Sequence, residues 1–226
     1  RSVAALAHER GIQLVVDSTF ASPVNLRPGL LGADVVIHSA TKYLSGHSDL
    51  IAGAVAGSRP VIDEVIQKMR LYGPALDPHA CWLLDRGLRT LDVRVRRQNE
   101  SALTLARWLA DQKAIASVSH PGLRNHPDHA VASEILQGFG GLVSFVLAGG
   151  GSAADAFMRR VDLAIPAPSL GGVETLVSQP RHTSHVNLSS ADRERLGIPD
   201  GFVRVSVGVE DVDDLITDFA AALEGL

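Results

Sequence analysis

The chain reads as an α/β protein with a parallel sheet in its first part and a small α+β domain at its end, and three observations predict this. Gln13-Leu14-Val15-Val16 and Asp34-Val35-Val36-Ile37 are short runs rich in β-branched residues, the pattern of strands buried on both faces of a parallel sheet. Helical stretches alternate with these runs and with later strand patterns. The closing segment, Val212 to Leu223, carries apolar residues at helical spacing and packs with a strand about Arg204 into an α+β unit.

The elements follow in order. A helix over Val3 to Arg10 is stopped by Gly11, which tolerates the left-handed turn that ends helices. The two buried strands come next, then a Gly/Ala strand at Ile51 to Gly57. Arg59-Pro60 opens a helix through about Leu71, with proline in the first turn, where its missing N–H costs nothing. A long helical stretch runs from Asp77 to Gln112, broken or bent around Arg86-Gly87, and the domain junction is placed there: 1–90 and 91–226. Gly141 to Leu147 is a strand, and a helix starts at Ser152 after a Gly-rich turn, with Ser152 and Asp155 as its capping pair. No internal repeat or low-complexity tract is present.

Chemistry concentrates where the first strands end. One closes on Asp17-Ser18-Thr19 and the other on His38-Ser39-Ala40-Thr41-Lys42. In open α/β sheets the ligand crevice lies beyond the carboxyl ends of the strands, so both polar ends are expected to face one cavity. A lysine losing hydration there becomes a nucleophile toward a carbonyl. Ser39 and Thr41 alternate with Ala40, so both hydroxyls are expected to point one way as donors to an anion. Asp17 can hold a ring nitrogen in its protonated form. A Schiff-base lysine, phosphate donors and a pyridinium partner together describe a pyridoxal phosphate site.

With these residues in hand, the chain resembles the PLP-dependent trans-sulfuration (Cys/Met metabolism) enzymes, which include cystathionine γ-synthase, cystathionine γ-lyase, methionine γ-lyase and homoserine-ester sulfhydrylases. The resemblance lies in Asp17-Ser18-Thr19-Phe20, Ser39-Ala40-Thr41-Lys42-Tyr43 with Gly46-His47-Ser48-Asp49, Ser169-Leu170-Gly171-Gly172, and Val203-Arg204-Val205-Ser206-Val207-Gly208-Val209-Glu210-Asp211. It implies the aspartate-aminotransferase-like fold (fold type I): residues 1–90 as the C-terminal part of the large, mostly parallel-sheet PLP-binding domain and 91–226 as the small C-terminal domain. It also implies that Lys42 holds pyridoxal 5'-phosphate as the internal aldimine and then shuttles protons. Asp17 would pair with the pyridine nitrogen, Ser39 and Thr41 would bind phosphate, and Thr19 would line the ring. Ser169 and Arg204 would take the substrate α-carboxylate, to which a planar guanidinium is matched. The implied reaction is γ-elimination or γ-replacement on a sulfur amino acid or an activated homoserine. Pro168 stands before Ser169, where some γ-lyases of this kind carry an acidic residue, and Gln179 to His185 departs from the family's small-residue run before Thr-His.

The chain begins at Arg1, without methionine and inside a helical pattern, while family members are much longer. It is therefore expected to be the C-terminal portion of such an enzyme, or a non-catalytic or split-enzyme half whose site is completed by an N-terminal partner chain. The family implies a homodimer or homotetramer. Composition sets the remaining bounds. A formal net charge of −4 and aromatics at 4% argue against a nucleic-acid partner, which would show a basic footprint and stacking platforms. No apolar run approaches the roughly 20 residues of a membrane span. The one cysteine, Cys81, gives no disulfide framework, so a cytoplasmic setting is expected. His126/His129 and His182/His185 show metal-pair spacing but read as surface loop histidines with no third ligand. Arg94, Arg96 and Arg97 read as a solvated helix face or subunit contact, and the Gly149 to Asp155 stretch as a plain strand-to-helix turn, since it lacks G-x-G-x-x-G.

Overall fold

A computed structural model describes residues 2–226. The backbone forms two compact units, the first ending at Asp92 and the second running from Val93 to Leu226.

In the first unit, helix α1 (Ser2–His8) leads to Gly11, whose φ of +66° turns the chain toward strand β1 (Val15–Asp17). A short helix α2 (Ser22–Asn25) precedes β2 (Val35–Ser39), and β3 (Gly53–Gly57) completes a sheet of order β1-β2-β3. β1 and β2 run parallel with Asp17 opposite Ile37, whereas β3 returns antiparallel with Gly53 opposite Ser39. Asp34 is outside the strand and braces its start instead: its carboxylate accepts the Leu14 N–H at 2.8 Å and meets His8 Nε2 at 2.9 Å. Full burial of both faces does not hold. Val35 on the central strand is buried, but Val15 and Val55 are 53% and 43% exposed because they lie on the two edge strands of a three-stranded sheet.

Helix α3 (Arg59–Tyr72) starts with Pro60 in its first turn and ends at Gly73, with φ +79°. Exposed i,i+4 pairs, Arg59 with Asp63 and Lys68 with Glu64, each add a few tenths of a kcal/mol at about this level of exposure. Helix α4 (Pro78–Leu88) is capped by the Asp77 carboxylate, which accepts from the His79 and Ala80 amides at 3.0 and 3.1 Å; such a cap contributes about 1 kcal/mol. The helical stretch is not broken at Arg86-Gly87. Gly87 lies inside α4, and the interruption falls at Arg89-Thr90, before helix α5 (Leu91–Ala110).

The second unit is built on a sheet of strands β4 (Ile115–Ser119), β5 (Leu142–Leu147), β6 (Ile165–Pro166), β7 (Leu176–Ser178) and β8 (Phe202–Ser206), in the order β4-β5-β8-β7-β6. All neighbours are antiparallel except β6 with β7. Helices α6 (His129–Ile135), α7 (Gly150–Arg160), α8 (Ser190–Arg195) and α9 (Val212–Leu223) complete the unit. β5 and β8 alternate strictly: Val143, Phe145 and Leu147 with Val203 and Val205 enter the core, and Ser144 and Arg204 face away from it. That core joins Leu105 and Leu109 of α5, Phe157 of α7 and Leu215 and Phe219 of α9. Phe145, Phe157 and Phe219 meet edge to face in series, at centroid distances of 5.4 and 5.1 Å, the favoured geometry for aromatic quadrupoles.

Three further expectations change here. Ser152 and Asp155 are not a capping pair, because α7 starts two residues earlier at Gly150 (φ +66°); Asp155 instead takes an ion pair with Arg181 at 2.5 Å. Arg94 is buried and Arg97 donates to the Glu210 carbonyl at 3.3 Å, so the basic cluster is not simply a solvated face. His129 is no surface loop residue: it opens α6, its Nδ1 lies 2.8 Å from the Pro121 carbonyl, and its ring stacks on Phe139. Among the described residues no helix is long and apolar enough to cross a membrane.

Candidate active site

The carboxyl ends of β1 and β2 are tied together by one hydroxyl. Thr19, which is buried, donates through Oγ1 to Asp17 Oδ1 at 2.6 Å and accepts the Ser39 backbone N–H at 2.8 Å. Its own N–H also donates to Asp17 Oδ1, at 2.9 Å, while Ser18 N–H continues the parallel ladder to the Ile37 carbonyl. A parallel pair leaves strand-end groups without ladder partners, and Thr19 supplies them across the gap. Asp17, Thr19 and Ser39 are thus brought together.

The electrostatics follow. The Thr19 hydroxyl and then the Thr19 amide hold the Asp17 carboxyl below the usual carboxylate range, so it is ionised at neutral pH. Both bonds fall on Oδ1, and Oδ2 accepts no hydrogen bond among the described residues. His38, one residue before Ser39, is also shifted down but for a different reason: burial pushes its pKa down, and the Asp17 charge opposes this only in part.

After Ser39 the strand stops and the chain turns. Lys42 N–H donates to the Ser39 carbonyl at 3.2 Å, Ser45 N–H to Ala40 at 3.0 Å, and Gly46 N–H to Lys42 at 2.8 Å. Because the strand ends at Ser39, two-residue alternation does not govern Thr41. Its hydroxyl turns to Ala52, accepting the amide at 3.0 Å and lying 3.4 Å from the carbonyl, whereas the Ser39 hydroxyl makes no hydrogen bond among the described residues. The contact to the Ala52 carbonyl is long, so the Thr41 proton can still turn toward an anion. Lys42 is half-buried in this turn, and Tyr43, Leu44 and Ser45 beneath it are buried. Gly87 of α4 packs directly on the turn, since a Cβ there would fall inside contact distance of the Ser45 carbonyl oxygen.

In the second unit, Ser169 and Arg204 are also brought together. Arg204 projects from the non-core face of β8, and one terminal nitrogen, Nη2, donates to the carbonyls of Pro168 and Ser169, each at 2.9 Å. Gly171 N–H donates to Ser206 Oγ at 2.9 Å, which holds the same loop to the same strand. Pro168 and Ser178, the latter opposite Arg204 in the β7–β8 register, also line a cavity of about 300 Å³. Its rim includes Gln179 and His182; Arg181 joins Gln179 Oε1 at 3.1 Å to Asp155, so this departure from the family run forms its own polar network.

The residues of the first unit fit a phosphorylated pyridine aldehyde: an ionised carboxylate and a strand-end hydroxyl that, among the described residues, keep one oxygen and one donor uncommitted, and a lysine three residues past the end of β2. Residues 1–224 match the family described as Cys/Met metabolism PLP-dependent enzyme, and the chain belongs to that family, whose cofactor is pyridoxal 5'-phosphate. It is 42% identical over 224 residues to a chloroplastic cystathionine gamma-synthase of Nicotiana tabacum, covering 99% of this chain and 42% of that protein. It is 43% identical over 225 residues to an O-succinylhomoserine sulfhydrylase of Pseudomonas aeruginosa, covering 100% of this chain and 56% of the relative. Its backbone matches that of a cystathionine gamma lyase from Micromonospora echinospora with a TM-score of 0.95 at 40% identity, covering 100% of this chain and 59% of the other. The chain therefore spans about half the length of the relatives it matches. The shared backbone is the α/β, fold type I architecture.

One role and one residue escaped the sequence reading. Thr19 was expected to line a ring, but its bridging of two strand ends needs the β1–β2 register, which sequence does not print. Gly87 had a visible signal, a glycine inside a helical pattern, which points to a close packing neighbour as readily as to a helix break.

Proposed function

We propose that this chain carries the cofactor lysine and the carboxylate-binding residues of an enzyme catalysing γ-elimination or γ-replacement on a sulfur amino acid or an activated homoserine. The observation that supports it best is the Asp17–Thr19–Ser39 chain of hydrogen bonds at the strand ends, immediately before Lys42. Pyridoxal phosphate, when bound, supplies the electron sink for the pair left at the substrate Cα. Asp17, its carboxyl held below the usual range chiefly by the Thr19 hydroxyl, would keep the ring nitrogen protonated. Ser39 Oγ and Thr41 Oγ1 would hold the phosphate. Lys42 Nζ would hold the cofactor at rest and take the proton from the substrate Cα. Arg204, its arm steadied by the Pro168 and Ser169 carbonyls, takes the substrate α-carboxylate together with Ser169.

A second reading is that this chain is a non-catalytic or split-enzyme half whose catalysis needs residues supplied by a partner chain. One experiment addresses both readings. The protein, and the protein mixed with candidate partner chains, is incubated with cofactor and with cystathionine, methionine or O-acyl homoserines, each with and without cysteine, and products are identified. Turnover that Lys42→Ala abolishes supports the proposal, and turnover only with a partner supports the second reading. Cofactor binding without any turnover refutes the substrate assignment.

A further inference from the structure

Helix α5 buries polar side chains among apolar ones in its first turns. Ala102, Leu105, Ala106 and Leu109 of that face fill the core of the second unit, but in the preceding turns the buried Leu91 and Val95 are joined by three buried polar residues, Arg94, Gln98 and Ser101. Gln98 is fully buried. Its Nε2 donates to the Gly172 carbonyl at 2.7 Å, while its Oε1 has no hydrogen-bond partner among the described residues. Burying an amide with one end unsatisfied is unfavourable, and a position that served packing alone would carry Leu or Ala, as the same face does farther along.

That bond lands on the Ser169 loop. On one side the loop is held by β8, through Arg204 to the Pro168 and Ser169 carbonyls and through Ser206 to the Gly171 amide. Gln98 reaches it from α5, so the loop is clasped between a strand and a helix. Gly171, with φ +80°, and its neighbour Gly172 give the loop little stiffness of their own, so its position depends on these side chains.

We propose that Gln98 is a positioning residue for the substrate α-carboxylate subsite, acting through its bond to the Gly172 carbonyl. The inference rests on the assignment of Ser169 and Arg204 to that carboxylate under the proposed function.

The test compares Gln98→Met, which keeps size and loses the donor, with Gln98→His, whose ring N–H reaches a similar distance. Amide hydrogen exchange is followed in the cofactor-loaded protein, and KM and kcat are measured for an amino-acid substrate. Loss of one buried hydrogen bond corresponds to about a tenfold change. Gln98→Met is expected to speed Gly171 exchange and raise KM by about that factor, with kcat within about twofold and Val203 exchange unchanged. Gln98→His is expected to restore Gly171 exchange and KM. Unchanged Gly171 exchange in Gln98→Met would overturn the proposal, as would equal acceleration at Gly171 and Val203 with KM unmoved, which is the mark of a merely structural residue. Absence of turnover in the unsubstituted protein would count against the proposed function, and Gly171 exchange would still decide the role of Gln98.

Discussion

Thr19→Val removes one oxygen and keeps the shape of the side chain, so it isolates what the hydroxyl does. Two bonds disappear: the one to Asp17 Oδ1 at 2.6 Å and the one from Ser39 N–H at 2.8 Å. The Ser39 amide is then left without an acceptor in a part-buried site, a loss of roughly 1–2 kcal/mol; water can replace the hydroxyl at the exposed Asp17 carboxylate, so that share is smaller. Together about 2 kcal/mol is expected, or roughly a 30-fold larger opening equilibrium at the β1–β2 ends. Ser39 amide exchange measures it directly. Carbon-detected titration of Asp17 gives the second readout. Its folded-state pKa is depressed, chiefly by the Thr19 hydroxyl, so it contributes stability above the unfolded value of 3.8 that is lost as pH falls through the folded value. In Thr19→Val that titration should move up toward 3.8, and in Thr19→Ser it should not. Equal Ser39 exchange in the Val and Ser variants would refute the bridging role.

Gly87→Ala should force α4 off the Ser45 carbonyl and destabilise the first unit by about 1–3 kcal/mol, seen as a lower urea midpoint of Trp82 fluorescence; an unchanged midpoint would mean the packing is not tight. His120 is fully buried, its Nε2 donating to the Gly140 carbonyl and its Nδ1 accepting the Gly122 amide, and burial pushes its pKa below 6.5. The unfolded chain therefore binds a proton that the folded one refuses: stability is full above 6.5 and falls as pH drops from there toward the folded value. His120→Gln should flatten that part of the pH–stability curve, and an unaltered slope would contradict the assignment. Arg204→Ala should weaken amino-acid binding by about 2–5 kcal/mol while cofactor absorbance stays intact; lost cofactor with normal amino-acid affinity would reverse the assignment.

Strong periodicity was readable from residues alone. The closing helix was expected at Val212 to Leu223 and lies there, because its apolar residues recur at helical spacing and its start carries Asp211, which caps it through the Asp213 amide at 2.9 Å. The strand around Arg204 was equally clear, since Val203 and Val205 alternate with polar neighbours. Strands β4 and β7 went unseen for opposite reasons: Ile115 to Ser119 is mostly exposed and lacks a buried alternation, and Leu176 to Ser178 is too short, with all three residues buried. At the site, the residue types at the strand ends pointed to the cofactor, and Asp17, Thr19 and Ser39 do meet. The direction of Thr41 was not legible, because it depends on where β2 stops, and neither was the buried amide of Gln98, which looks like one more polar residue on a helix until its carbonyl partner is in place.

Lys42 is the residue proposed to be joined to pyridoxal phosphate. Borohydride reduction of the cofactor-loaded protein, followed by peptide mapping by mass spectrometry, tests it most directly. The expected product is a pyridoxyl group on the peptide containing Lys42, at that residue, and none after Lys42→Ala. A stable pyridoxyl group at Lys68 or Lys113 with Lys42 unmodified would contradict it.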